Sequence, residues 1–245
     1  MKKPLWIFAH IPKTGGITMR GIIDSNVPSN QIYRYPLHQN QEKMIRSLTS
    51  KQKENFRWVY GHCRYGVHQH FHRSYRYITM LRDPVSRVIS TYYFICSMPT
   101  NGLHHKVKKM SLEEFVTSQD PRISAPLHNH QTRFLSGQND PDLTLAMNNL
   151  NDHFAFVGIT EMYPQSVFLL NQLQGWKQTH YSKENVTKKR PKRPDISEQL
   201  TNHIRSMNEL DYHLYETCKL QLHQKIKSLS QSEKKELRSF IKMQD

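Results

Sequence analysis

Three short groups of residues in this 245-residue chain have the types and spacing for chemistry on a strongly anionic ligand. The first is Pro12-Lys13-Thr14-Gly15-Gly16-Ile17-Thr18, which follows the apolar run Leu5-Trp6-Ile7-Phe8-Ala9-His10 and leads into a helical pattern. Two glycines let the backbone turn tightly and approach an anion, and the first turn of the next helix offers N–H groups that have no intrahelical acceptor. Lys13 adds a cation, and the Thr14 and Thr18 hydroxyls are further donors. The order is not that of a Walker A loop, because Lys13 precedes the glycines and residue 9 is Ala.

The second group is Arg82-Asp83-Pro84-Val85-Ser86-Arg87-Val88-Ile89-Ser90. Arg82 can grip an anion with a forked pair of N–H donors, and the Ser90 hydroxyl can join it from two turns along a helix. The third is His62, in Gly61-His62-Cys63-Arg64, a candidate general base. His68 competes with it for that role. Each group also has a structural explanation: a glycine turn with a solvated lysine, a capped helix with a surface ion pair, and a histidine that only packs.

The elements that must position these residues follow from the flanking patterns. Residues 5–10, 57–60 and 75–81 read as core strands, and each ends at or just before one of the three groups. Asp83 is a natural N-cap and Pro84 a natural first helical residue. Val85, Val88, Ile89 and Tyr92 then repeat at helical spacing as far as about Ile95. In an open α/β sheet ligands gather beyond the carboxyl ends of the strands, so Lys13, His62 and Arg82 are expected to face one crevice.

Pro-Lys-Thr-Gly-Gly after a first strand resembles the 5′-phosphosulfate loop of the sulfotransferases that use 3′-phosphoadenosine 5′-phosphosulfate (PAPS). Arg-Asp-Pro-x-x-Arg-x-x-Ser is similar to the segment with which the same family binds the 3′-phosphate, a role that carries over onto Arg82 and Ser90. The Gly-His pair resembles the catalytic-base position of the heparan-sulfate 2-O- and 6-O-sulfotransferase branch.

Weaker likenesses extend along the chain. Asn129 to Gly137 resembles the family's Gln-Thr-Arg helix, with Arg133 as a contact to sulfate or acidic substrate or else an ion-pair partner. The segment 154–161 is similar to a late core strand and turn, and 208–216 to a closing helix. The basic stretch 185–190 resembles a loop that closes over the nucleotide through Thr187, Lys188 and Arg190, and its residues also read as a solvated charge run.

The resemblance implies a P-loop-like three-layer α/β sandwich with a central parallel sheet flanked by helices. It also implies transfer of a sulfuryl group from PAPS to an acceptor hydroxyl, by in-line displacement with His62 as base and Lys13 on the leaving group. A P-loop-type nucleotide kinase and a non-catalytic polyanion-binding module are the alternatives.

Composition is consistent with either reading of the charge. With 35 Lys and Arg against 20 Asp and Glu, the net charge of +15 attracts polyanions. A doubly phosphorylated nucleotide and an anionic saccharide acceptor satisfy it, and no helix-turn-helix, zinc-finger or RNP signature points to specific nucleic-acid recognition. A single domain over 1–245 is expected, with about 230–245 as an added helix that opens on the capping box Ser230-x-x-Glu233. Residues 97–126 are expected to be loop-rich and to shape the acceptor cleft.

No metal is expected. His68-x-His70-x-His72 lacks the Glu of a His-Glu-x-x-His pattern and has no cysteine partners at zinc spacing. Three cysteines are too few for a disulfide framework and fit a reducing compartment. No apolar run approaches a membrane span. Animal glycan sulfotransferases are anchored in the Golgi membrane. The expectation here is therefore a soluble cytoplasmic relative, or a chain from which an anchor has been removed.

Overall fold

The structure, a computed structural model, describes residues 3–36, 41–176 and 196–244. Among these, five parallel strands form one sheet: β1 (Leu5–Ala9), β2 (Ile32–Arg34), β3 (Trp58–Gly61), β4 (Tyr75–Leu81) and β5 (Phe154–Ile159), in the order β2-β3-β1-β4-β5. The near-continuous apolar character of β1, β3 and β4 suits strands covered on both faces. Leu5, Ile7 and Ala9 pack on one side with Val59, Tyr77 and Ile45. Phe8, on the other, joins Met19, Ile22 and Ile23 of α1 (Gly16–Asn26). Helices thus cover both faces, as the α/β sandwich requires.

Between β3 and β4 the chain passes from one flank of β1 to the other, and that reversal opens a crevice beyond the strands' carboxyl ends. The register pairs Phe8 with Tyr60 and Ala9 with Gly61, so His10 and His62 are neighbours one residue past the two strands. On the other flank Ala9 pairs with Thr79, whose hydroxyl donates to the Ala9 carbonyl at 2.8 Å.

After β4, α2 (Pro84–Ser97) begins as its sequence predicts. The Asp83 side chain accepts from the Ser86 N–H at 2.8 Å, and Pro84 occupies the first turn. Two further helices cap each other: α3 (His130–Ser136) and α4 (Glu209–Lys227). Asp211 accepts from the N–H groups of Gln131 and Thr132 at 3.0 and 2.7 Å, while the Asn129 side chain accepts from those of Leu210 and Asp211 at 3.0 and 3.2 Å. Each N-terminus is therefore satisfied by a side chain from the other segment.

Residues 97–126 carry short helices at His104–Val107, Leu112–Val116 and Pro121–Ser124 with loops between them. These bury Val107, Phe115, Val116 and Ile123 with Val85, Val88 and Ile89 of α2. The C-terminal helix α5 (Gln231–Lys242) does open on the Ser230/Glu233 capping box. It packs on the core: Leu237 and Phe240 are buried in the main cluster and Phe240 lies against Phe168 at 5.7 Å.

Candidate active site

The loop between β1 and α1 is held by its carbonyl groups. Arg82 Nη1 donates to the Lys13 carbonyl at 3.0 Å, Thr160 Oγ1 to that of Thr14 at 3.0 Å, and the Tyr163 hydroxyl to that of Gly15 at 2.9 Å. Three successive carbonyls are thus engaged by side chains from elsewhere in the chain. Gly15 adopts φ 79°, and a Cβ there would lie 2.6 Å from the Tyr163 ring. A Cβ on Gly16 would lie 1.9 Å from the His10 ring. The glycines are needed at this cradle for conformation and for close approach. The N–H groups opening α1 have no intrahelical acceptor, as the donors of an anion cradle would.

Lys13 is itself at φ 72°, and its Nζ lies 3.9 Å from the centroid of the Phe94 ring. Burial and the neighbouring Arg82 charge lower its pKa to about 8. Thr14 is fully buried, and its hydroxyl donates to the Ile11 carbonyl at 2.8 Å, which braces the turn. Thr18 is buried in the first turns of α1.

Arg82 leaves β4 into a frame the sequence did not reveal. The Gln131 side chain accepts from the Arg82 N–H and donates to the Arg82 carbonyl, both at 2.9 Å, which clamps its main chain. Glu161 lies 4.0 Å from Arg82 Nε and accepts from the Asp83 N–H and the Tyr215 hydroxyl. Ser90 is buried on α2, and among the described residues its hydroxyl makes no hydrogen bond. Arg87, in the same motif, is fully buried, and the charge of Asp211 offsets part of the burial that lowers its pKa.

His62 lies beside His10, their ring centroids 4.6 Å apart and edge to face. Burial, then Arg20 and Lys13, push the His62 pKa down to about 4, so its imidazole is neutral and can accept a proton at neutral pH. Beyond it runs a cleft of about 1060 Å³ whose walls include Arg64, Gln69, His70, Gln138 and Asn139. Arg64 Nη1 donates to the Gln138 carbonyl and the Asn139 side chain at 3.2 and 3.1 Å. No residue of 97–126 lines this cleft. Its walls come from the segments after β3 and around α3, a pairing that depends on tertiary contact and has no signal in the sequence.

His68 and Arg133 are the two expected substrate contacts. His68 stacks on Tyr75 at 3.9 Å and shares a hydrogen bond of 3.0 Å with the Tyr77 hydroxyl, at the amino-terminal half of β4. It is therefore remote from Lys13, at the other end of the sheet. Arg133 donates to the Ala125 carbonyl at 2.7 Å, which is neither of the expected partners. Thr187, Lys188 and Arg190 lie outside the described residues.

Among the described residues no helix is long and apolar enough to cross a membrane, and Cys63, Cys96 and Cys218 are free thiols.

Heparan-sulfate 6-O-sulfotransferase 3 of Mus musculus is 29% identical to this chain over 180 residues. The match covers 60% of this chain and spans 38% of the relative's length. The Sulfotransferase family matches residues 2–216, a range that takes in all five strands, the carbonyl-braced loop, His62 and the Arg82 frame. With that agreement over most of its length, the chain belongs to the sulfotransferase family.

Proposed function

We propose that the chain transfers a sulfuryl group from PAPS to a hydroxyl of a saccharide acceptor. What supports this reading is that Arg82 bonds to the Lys13 carbonyl and the Lys13 charge acts on His62, which brings three separate stretches of sequence together beyond the carboxyl ends of the strands.

In this reading His62 removes the proton of the acceptor hydroxyl as its oxygen bonds to sulfur. The bond from sulfur to the 5′-phosphate oxygen breaks, and its electron pair stays on that oxygen. Lys13 and the N–H groups of residues 15–18 stabilise the charge that develops there, and being held in place beforehand they need little reorganisation. Arg82 and Ser90 take the 3′-phosphate, the group that distinguishes PAPS from ATP. The residues suit the donor because the loop's carbonyls are already engaged and a Cβ at either glycine would meet a ring. The polar cleft beyond His62, with Arg64 at its wall, suits a hydroxyl-rich and anionic acceptor, and the relative's name, which specifies heparan sulfate, supports the saccharide class.

Calorimetry with 3′-phosphoadenosine 5′-phosphate, against 5′-AMP and ATP, tests the reading. Binding that requires the 3′-phosphate and weakens in Ser90→Ala and Arg82→Ala is expected. Ser90→Ala is the cleaner arm, since Arg82 also braces the loop through the Lys13 carbonyl. Equal or absent binding of all three nucleotides would overturn the reading in favour of polyanion binding.

A further inference from the structure

We infer that His10 is a positioning residue whose ring holds the His62 imidazole in the orientation for proton abstraction, in place of the hydrogen-bonded carbonyl or carboxylate that usually orients a histidine base. The inference rests on the sulfuryl-transfer reading, in which His62 is the base.

A histidine that acts as a base is ordinarily fixed by a hydrogen bond to its other ring nitrogen. His62 makes no such bond among the described residues; its ring contact is His10, edge to face at 4.6 Å. His10 is well placed to act on it. Its main-chain N–H donates to the Gly61 carbonyl at 3.0 Å, directly before His62, and the parallel register sets the two residues side by side.

The His10 ring lies so close to Gly16 that no side chain fits between them, and its face stacks on Phe8 at 5.5 Å and 12°. His10 is 4% exposed, and its Nδ1 is buried without a hydrogen-bond partner. The ring is therefore held by packing against Gly16, Phe8 and His62. The charges acting on His62 are Arg20 of α1 and Lys13 of the loop, and His62 in turn lowers the pKa values of His10 after β1 and His130 of α3. Burial pushes the pKa of His10 well below the usual imidazole value, so it packs as a neutral ring.

The test compares His10→Ala and His10→Phe with the unmutated chain by NMR titration of the His62 ring, nucleotide calorimetry and turnover. In His10→Ala, water reaches the His62 ring and its titration rises by about one pH unit or more. Turnover falls about 100-fold through misorientation of the base. Affinity for 3′-phosphoadenosine 5′-phosphate holds, because Arg82, Thr160 and Tyr163 still brace the loop. His10→Phe keeps a flat ring without nitrogens and restores both the low titration and most of the turnover.

An unchanged His62 titration in His10→Ala would overturn the inference. So would a His10→Phe chain that titrates like the unmutated one yet is as inactive as His10→Ala, since a ring nitrogen would then be required. Failure of the unmutated chain to bind nucleotide through its 3′-phosphate would count against sulfuryl transfer alone, because the His62 titration is read without turnover.

Discussion

The two sides of the crevice are built on different principles. On the nucleotide side, nearly every group is tied by a directional bond: three loop carbonyls accept from Arg82, Thr160 and Tyr163, and Gln131 clamps the Arg82 main chain. Behind that frame, Asp211 caps α3. On the acceptor side, His62 has a ring neighbour and no hydrogen bond among the described residues, and it opens onto a broad polar cleft. Hydrogen bonds fix distance and angle, as donors aimed at a developing charge require, whereas packing fixes a ring's plane and leaves room beside it. On the proposed reading, that division suits a fixed nucleotide and a variable acceptor.

The comparison breaks most visibly at Asp211. Asp211→Ala removes the acceptor of two helix-starting N–H groups and the Thr132 hydroxyl and leaves buried Arg87 without an opposing charge. A loss of about 3–5 kcal/mol is expected, by analogy with a broken buried ion pair. Denaturant unfolding checks this, and a loss smaller than that of an exposed cap would show that the frame behind Arg82 is not strongly braced.

Lys13→Ala sharpens the comparison from the catalytic side. Turnover should fall by the equivalent of about 2.7–4 kcal/mol, the cost of losing one preorganised donor, while the far-ultraviolet spectrum and unfolding midpoint stay close to those of the unmutated chain. Single-turnover assays measure it, and undiminished turnover would remove Lys13 from the chemistry. Tyr163→Phe, which frees the Gly15 carbonyl, should cost about 0.5–1.5 kcal/mol of stability and weaken nucleotide binding in proportion.

The pH response separates the two sides. For the free enzyme, kcat/KM should fall below about 4, where His62 gains a proton, and above about 8, where Lys13 loses one. Bound nucleotide anions should move the alkaline limb upward, because they favour charged Lys13. Stability follows the buried histidines. His10, His62 and His130 have folded-state pKa values below the unfolded value near 6.5, so the unfolded chain binds more protons as the pH falls. Tm should therefore decline from about pH 6.5 toward pH 4, and a flat profile in that window would contradict the burial of these rings as neutral groups.

Much of this architecture is legible in the sequence, for local reasons. Apolar runs ending at 9, 61 and 81 specify buried strands, Asp83-Pro84 specifies a helix start, and Gly15-Gly16 specifies a turn that no other residue type fits comfortably. These signals act over a few residues, through backbone torsion, capping and hydrophobic period.

What the tertiary structure alone decides is which distant groups meet. His10 became part of the site because the register of β1 on β3 sets it beside His62. Thr14, in a motif that suggests phosphate contact, turned its hydroxyl to Ile11. Gln131 and Glu161 serve as supports for Arg82 across 49 and 78 residues of chain or more, and His68 was carried to the opposite end of its neighbouring strand. Hydrogen-bonding side chains are written into the sequence as capacities, and only the packing of the sheet and its helices selects the partner that satisfies each one.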